Sequence, residues 1–258
     1  MNTLRNFFAV SLMAVIFFFS GCFDNSSGPD VDEPDRYSHV LNPGASANDF
    51  LSDENFDELV IEIDYMPGYA PNDRALDSLQ AFFEQRLHKT SVTILDPTEV
   101  ESGGQDQYSA SEVRELEELH RDEFSSEQVL AGYMIIVDGQ FEQNNVLGIA
   151  YYNTSNAFFG PAYDEASSGL GSPSRYQVES TSFQHEFGHL FGLVNIEGSG
   201  TEMQTDHHDE EHGHHCDNDN CLMYYAMERP DLIAQFFDSN VAELDANCIA
   251  DLQGNGGK

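Results

Sequence analysis

The sequence predicts an α/β fold of the α+β kind: a mixed, twisted sheet, one helix bearing paired histidines, and a small loop-rich, helical C-terminal subdomain. Three observations lead there. Strand-like and helix-like patterns alternate as strand, helix, strand, helix, strand, strand before the histidine helix. Residues 131–139, "AGYMIIVDG", carry the continuous apolar run of a central strand. Beyond residue 194 the periodicity gives way to Gly, acidic residues and clustered His.

The first strand is "ELVIEIDY" (58–65), whose alternation of apolar and acidic residues predicts a half-buried strand. "MPGYAPND" is turn chemistry, with Asn72 or Asp73 available to cap the next helix. In that helix Leu76, Leu79, Phe83 and Leu87 recur at helical spacing and face the sheet. Residues 91–97 form a second strand, and Ser109 or Ser111 opens a charged, largely solvent-facing helix over 109–124. Residues 145–159 read as one or two strands and 160–174 as a long loop. The histidine helix has possible caps at Ser180 to Ser182, and two short helices are expected over 227–237 and 243–253. There is no internal repeat.

Composition narrows the function. The 258 residues include 10 Lys+Arg against 46 Asp+Glu, a formal charge of −36, which disfavours nucleic acid and anionic lipid surfaces as partners. No DxDxDG-type loop accompanies the acidity, so calcium is not indicated. Nineteen Phe and 11 Tyr supply core volume in the absence of Trp. At the N-terminus Arg5 precedes an apolar run from Phe7 to Phe19, short for a membrane span but suited to an export signal. The "FSGC" that follows resembles a bacterial lipoprotein processing site, in which Cys22 becomes the acylated first residue. The expected organisation is a signal peptide over 1–21, an acidic flexible tether over 22–37 and one catalytic domain over 38–258, itself divided into 38–194 and 195–258. Export, and anchoring to the lipid bilayer at the outer membrane or cell surface through Cys22, follow as expectations.

The chemistry lies in "FQHEFGHLFGLVN" (183–195). Positions i and i+4 share a helix face, so His185 and His189 present two imidazoles together, as a tetrahedral zinc requires. Glu186 stands beside them, placed to move a proton rather than to bind the metal. Phe183, Phe187, Leu190, Phe191 and Val194 face the core, and Gly192 permits the helix to end in a turn.

"HEFGHLFGLVN" resembles the metzincin zinc-peptidase helix, HExxHxxGxx followed by His or Asp, with Asn195 as the departure. "HCDNDNCLM" (215–223) is similar to the His-Cys-x4-Cys-x-Met segment of archaemetzincins, in which the His is the third zinc ligand. There the segment continues the helix motif directly; here about twenty residues, 195–214, intervene. The whole also resembles predicted bacterial membrane-anchored metalloproteases. The resemblance implies a zincin fold, one catalytic zinc held by His185 and His189, Glu186 as general base and acid, and Met223 as the methionine turn beneath the metal. For the third ligand His215 keeps the family's spacing to Cys216 and Met223; His207 is the alternative, and His208, His212, His214 and Asn195 remain open.

The archaemetzincin pattern adds a CxxC pair that completes a second, structural zinc site. This chain has only Cys248 after Cys216 and Cys221, so a four-cysteine site is excluded. Export makes a disulfide involving Cys216 or Cys221 the default; three thiolates with a His or Asp around a metal is the other arrangement. The function expected is a zinc-dependent endopeptidase at the bacterial envelope, monomeric, acting on peptide or protein substrates. The alternative is a zinc-scavenging lipoprotein that uses the His-rich loop as a trap.

Overall fold

The computed structural model describes residues 37–143, 145–236 and 240–258. Cys22 and the expected signal and tether lie outside them. Among the described residues no helix is long and apolar enough to cross a membrane.

A short helix α1 (Ala47–Leu51) precedes β1 (Glu58–Tyr65), α2 (Asp73–Arg86), β2 (Ser91–Ile94), β3 (Thr98–Glu99) and β4 (Gln107–Tyr108). The chain continues through α3 (Ala110–His120), β5 (Val129–Val137), β6 (Gln140–Phe141), β7 (Gly148–Tyr152) and β8 (Ser155–Phe159). Helices α4 (Gly160–Ser167), α5 (Arg175–Leu190) and α6 (Ala246–Gly254) follow, with 3-10 turns at Tyr225–Glu228 and Ile233–Gln235 before α6. The main sheet runs β2-β1-β5-β8-β7, with β3 also on β1. All pairings are parallel except β7 with β8, which form an antiparallel hairpin and leave β7 at the edge. This is the mixed α/β sheet that the sequence predicts.

Local chemistry sets the helix starts. Asn72 accepts the Arg74 N–H at 3.0 Å, and Ser109 and Glu112 form a capping box at α3. Ser174, not Ser180 to Ser182, caps α5, in a capping box with Gln177. The three later residues are buried inside a helix that starts earlier than its apolar pattern shows. The expected loop over 160–174 is largely α4, because Gly160-Pro161, which reads as a turn, here places Pro in the first helical turn where no N–H is needed. The helix expected over 227–237 is reduced to the two 3-10 turns.

Phenylalanine locks α5 to its neighbours. Phe187 meets Phe83 of α2 edge-on at 4.7 Å, and Phe183 meets Phe158 of β8 at 4.8 Å, all fully buried. The acidic side of β1, expected to face solvent, is instead covered. Asp64 is 2% exposed and accepts the Tyr133 hydroxyl at 2.8 Å, while Glu62 takes the backbone N–H groups of Asp122 and Glu123. Nearby, Glu117 of α3 and Arg121, the residue that caps its C-terminal end, form a buried ion pair at 2.6 Å. Alternating charge therefore marks hydrogen-bonded interior here rather than a wet face.

Candidate metal centre

α5 brings His185 and His189 to one face, and the C-terminal segment brings His215 to the same place. The ring centroids are 4.9 Å apart for His185 and His189, and 5.3 Å from each of these to His215. Each imidazole is held from behind at Nδ1 by a backbone carbonyl: His185 by Leu222 at 2.7 Å, His189 by Leu193 at 2.8 Å, His215 by His212 at 2.7 Å. A carbonyl only accepts, so each Nδ1 carries the hydrogen and each Nε2 keeps its lone pair. Burial and His215 push His185 down to about 4, and burial, His185 and His215 push His189 well below the usual histidine range. Burial also pulls His215 down, but Glu228 outweighs it and the net shift is upward.

Glu228 is the fourth member of the group. One donor atom from each of His185, His189, His215 and Glu228 falls within 4.8 Å of all the others. The Glu228 carboxylate stands 3.6 Å from His215 Nε2. His185 Nε2 and Glu186 Oε1 are buried with no hydrogen-bond partner. Orphaned lone pairs converging in a buried place are costly alone and fit a cation. Burial, with Glu228 adding to it, raises the Glu186 carboxyl well above the usual range, against an opposing Ala150 N–H.

The surrounding cleft encloses about 390 Å3 between β7 (Gly148, Ile149, Ala150), the side chains of Glu186, His189, His215 and Glu228, and the start of the inserted segment (Ile196, Glu197). A Cβ on Gly148 would lie 2.9 Å from Glu186 Cγ, so only glycine lets β7 come this close to the helix. Beneath the centre Met223 is fully buried against Gly188, which directly precedes His189. Gly192, at φ +85, turns the chain out of α5.

Asn195 is not part of the centre. It is exposed, adopts φ +51, and accepts the His214 Nδ1 hydrogen on its carbonyl at 3.0 Å. His207 lies elsewhere, in a second set with Cys216, Asp245 and Cys248 whose donor atoms are also mutually within 4.8 Å. Its Nδ1 is 3.3 Å from Cys216 Sγ and its Nε2 2.8 Å from Asp251. Cys221 Sγ is 3.5 Å from Cys248 Sγ and takes the Met223 and Asp245 N–H groups at 3.4 Å, which with the two other thiols hold this thiol far below its usual value. The disulfide expected for Cys216 or Cys221 is not formed among the described residues: Cys216, Cys221 and Cys248 are free thiols, gathered where a metal rather than a bond would join them.

The remaining histidines of the acidic tract have separate positions. A small hairpin joins 207–209 to 215–217, with Asp209 N–H on the His215 carbonyl at 2.8 Å and Asp217 N–H on the His207 carbonyl at 2.9 Å. His212 pairs with Asp209 and stacks on Tyr225 at 3.6 Å. Sequence reasoning did not single out Glu228, Asp245 or Asp251, three acidic residues among 46.

No model of a protein family matches this chain, and none of the curated proteins does. Among solved structures it is similar to an archaemetzincin from Methanopyrus kandleri, with a TM-score of 0.51 and 15% identity over 78% of this chain and 96% of that one. A metalloproteinase-II from Bacteroides fragilis matches at a TM-score of 0.45 and 13% identity, over 87% of this chain and 58% of that one. The sheet, its antiparallel edge and the histidine helix therefore make an archaemetzincin-like fold.

Proposed function

We propose that the chain is a zinc-dependent endopeptidase held at a bacterial envelope by acylated Cys22. One observation carries the catalytic part: three imidazoles, each fixed through Nδ1 on a carbonyl, turn their Nε2 atoms toward one point beside the buried Glu186 carboxyl. His185, His189 and His215 would hold the ion, and a zinc bound there would supply Lewis acidity to a scissile carbonyl and to water. Glu186 takes the proton from the attacking water and delivers it to the departing amine, a role suited to a carboxyl whose burial raises its affinity for protons. β7 is the edge strand of the main sheet and lines the cleft, where an extended peptide backbone would pair with it. Met223 supports the helix from below.

His207, Cys216 and Cys248, with Asp245 or Cys221, would hold a second ion in a closed, structural role. In this reading His207 binds at the thiol cluster, and the inserted segment brings the cleft its ligand through His215. The scavenger alternative treats the histidine tract as a loose trap, whereas its members are individually placed by the hairpin and by Asp209, Tyr225 and Asp251.

The test is zinc content and peptide cleavage of the full-length protein against Glu186→Ala. The proposal expects cleavage to vanish with zinc retained. Several loosely held zincs, with no cleavage of any peptide in a broad library, would favour the scavenger.

A further inference from the structure

Glu228 closes a short 3-10 turn five residues after Met223, and its main chain is fixed: its carbonyl accepts the Leu147 N–H at 2.8 Å. Its side chain is 22% exposed, opens to the cleft and stands 3.6 Å from His215 Nε2. That distance is too long for a hydrogen bond and suits two groups sharing a cation between them. The four donor atoms, three nitrogens and one carboxylate oxygen, match in number and type the four ligands that a zinc ion takes. Catalytic zinc sites instead take three protein ligands and leave one position open.

We infer that Glu228 is a fourth protein ligand, so that the resting centre is closed and a peptide must displace this carboxylate to be cleaved. The inference rests on the metallopeptidase reading above. Displacement is a ligand exchange: the carboxylate gives up its place to substrate, and no electrons are transferred. Leu147 immediately precedes β7, so the hydrogen bond that fixes Glu228 also joins it to the strand along which substrate would lie. A peptide lying on β7 would therefore pass directly beside Glu228.

The test uses full-length protein with Glu228→Gln and Glu228→Ala, the first keeping the shape of the side chain while making it a poor ligand. Metal affinity is read by competition with a chromophoric chelator. The visible spectrum of the cobalt-substituted protein is read with and without azide, as a difference against His185→Ala to remove the thiol-cluster signal. Both variants should bind metal at least about tenfold more weakly. The wild-type cobalt bands should ignore azide, and those of Glu228→Ala should respond to it. Affinity unchanged in both variants, with wild-type bands that already respond to azide, would overturn the inference while leaving the three-histidine site intact. A rise in KM for peptides with basic residues, with metal affinity unchanged, would also overturn it and make Glu228 a substrate contact. If the wild type holds no metal that His185→Ala loses, the metallopeptidase reading itself falls.

Discussion

Gly188→Ala tests the packing beneath the metal centre independently of any activity. Glycine inside a helix ordinarily costs about 1 kcal/mol relative to alanine, so at an open position the substitution would stabilise α5. Here the added Cβ would lie 2.3 Å from Met223 Sδ and 2.9 Å from its Cε, against about 3.5–4.0 Å for ordinary contact. Met223 has little freedom to retreat: it is fully buried, its carbonyl accepts the Cys216 N–H at 2.8 Å, and its N–H is on Cys221 Sγ. An overlap above an ångström belongs near the upper end of overpacking costs, about 3 kcal/mol, so the clash outweighs the helix gain and leaves about 2 kcal/mol of destabilisation. In a domain of this size that lowers Tm by about 4–8 °C. The assay is thermal melting, followed by circular dichroism, of wild type, Gly188→Ala, Met223→Ala and the double variant. Removing the methionine side chain makes room for the new methyl group, so the double variant should be more stable than the sum of the singles predicts, by about 0.5–3 kcal/mol. A Gly188→Ala protein that melts above wild type, or strict additivity in the cycle, would refute the contact.

Three further outcomes are expected. His215→Ala should lose the cleft metal and keep metal at the thiols, whereas His207→Ala should lose metal at the thiols and hold the cleft metal more weakly, because the anchor of the loop goes with it; metal analysis of the two variants would show the reverse pattern if the assignment were wrong. Ser174→Ala removes the hydroxyl that accepts the Gln177 N–H, leaving the Gln177 side chain on the residue 174 N–H, and should cost about 1 kcal/mol, seen as a Tm lower by roughly 2–4 °C. Burial raises the Asp64 carboxyl, so as pH rises from its ordinary value of 3.8 the unfolded chain releases this proton before the folded one does. The folded state then binds more protons, and this group's contribution to stability falls through that window. Asp64→Asn, still able to accept the Tyr133 hydroxyl, should gain on wild type as pH rises; a difference in Tm that stays flat across the acidic range would contradict it.

The helical half of the centre is legible because its information is local. Two histidines at i and i+4 and the intervening glutamate share one helix, and the apolar stripe that packs Phe183 and Phe187 fixes which way they point. His215 was legible only as a spacing to Cys216 and Met223; what selects it over His207 is a hairpin whose pairing the sequence does not announce. Glu228 had no signal at all, since one acidic residue among 46 is distinguished only by the Leu147 N–H that fixes its main chain. The β1 acids misled in the opposite sense. Period-two charge predicts a wet face, but Tyr133 and the backbone of 122–123 satisfy Asp64 and Glu62 inside.

The inserted segment explains why Asn195 need not be a ligand. Closing a flexible loop of about twenty residues costs roughly 3 kcal/mol of chain entropy, enough to leave His215 away from the metal unless something else holds the far end of the loop. The loop is held at both ends. Thr201 Oγ1 bonds the Gly192 carbonyl at 3.2 Å near its start, and His207 bonds the buried Asp251 at 2.8 Å before the chain reaches His215. A charge-assisted bond of the second kind contributes about 1.5–3 kcal/mol, comparable to the closure cost. Burial lowers the affinity of His207 for a proton, but Asp251 and Cys216 outweigh it, so the pairing favours the charged ring. From there the 207–217 hairpin leaves His215 one residue before Cys216, so the geometry of the thiol cluster is passed directly to the third imidazole of the cleft. On the proposed assignment, the second cluster would do for the insertion what direct continuity does in an uninterrupted motif: it would set where the third ligand stands.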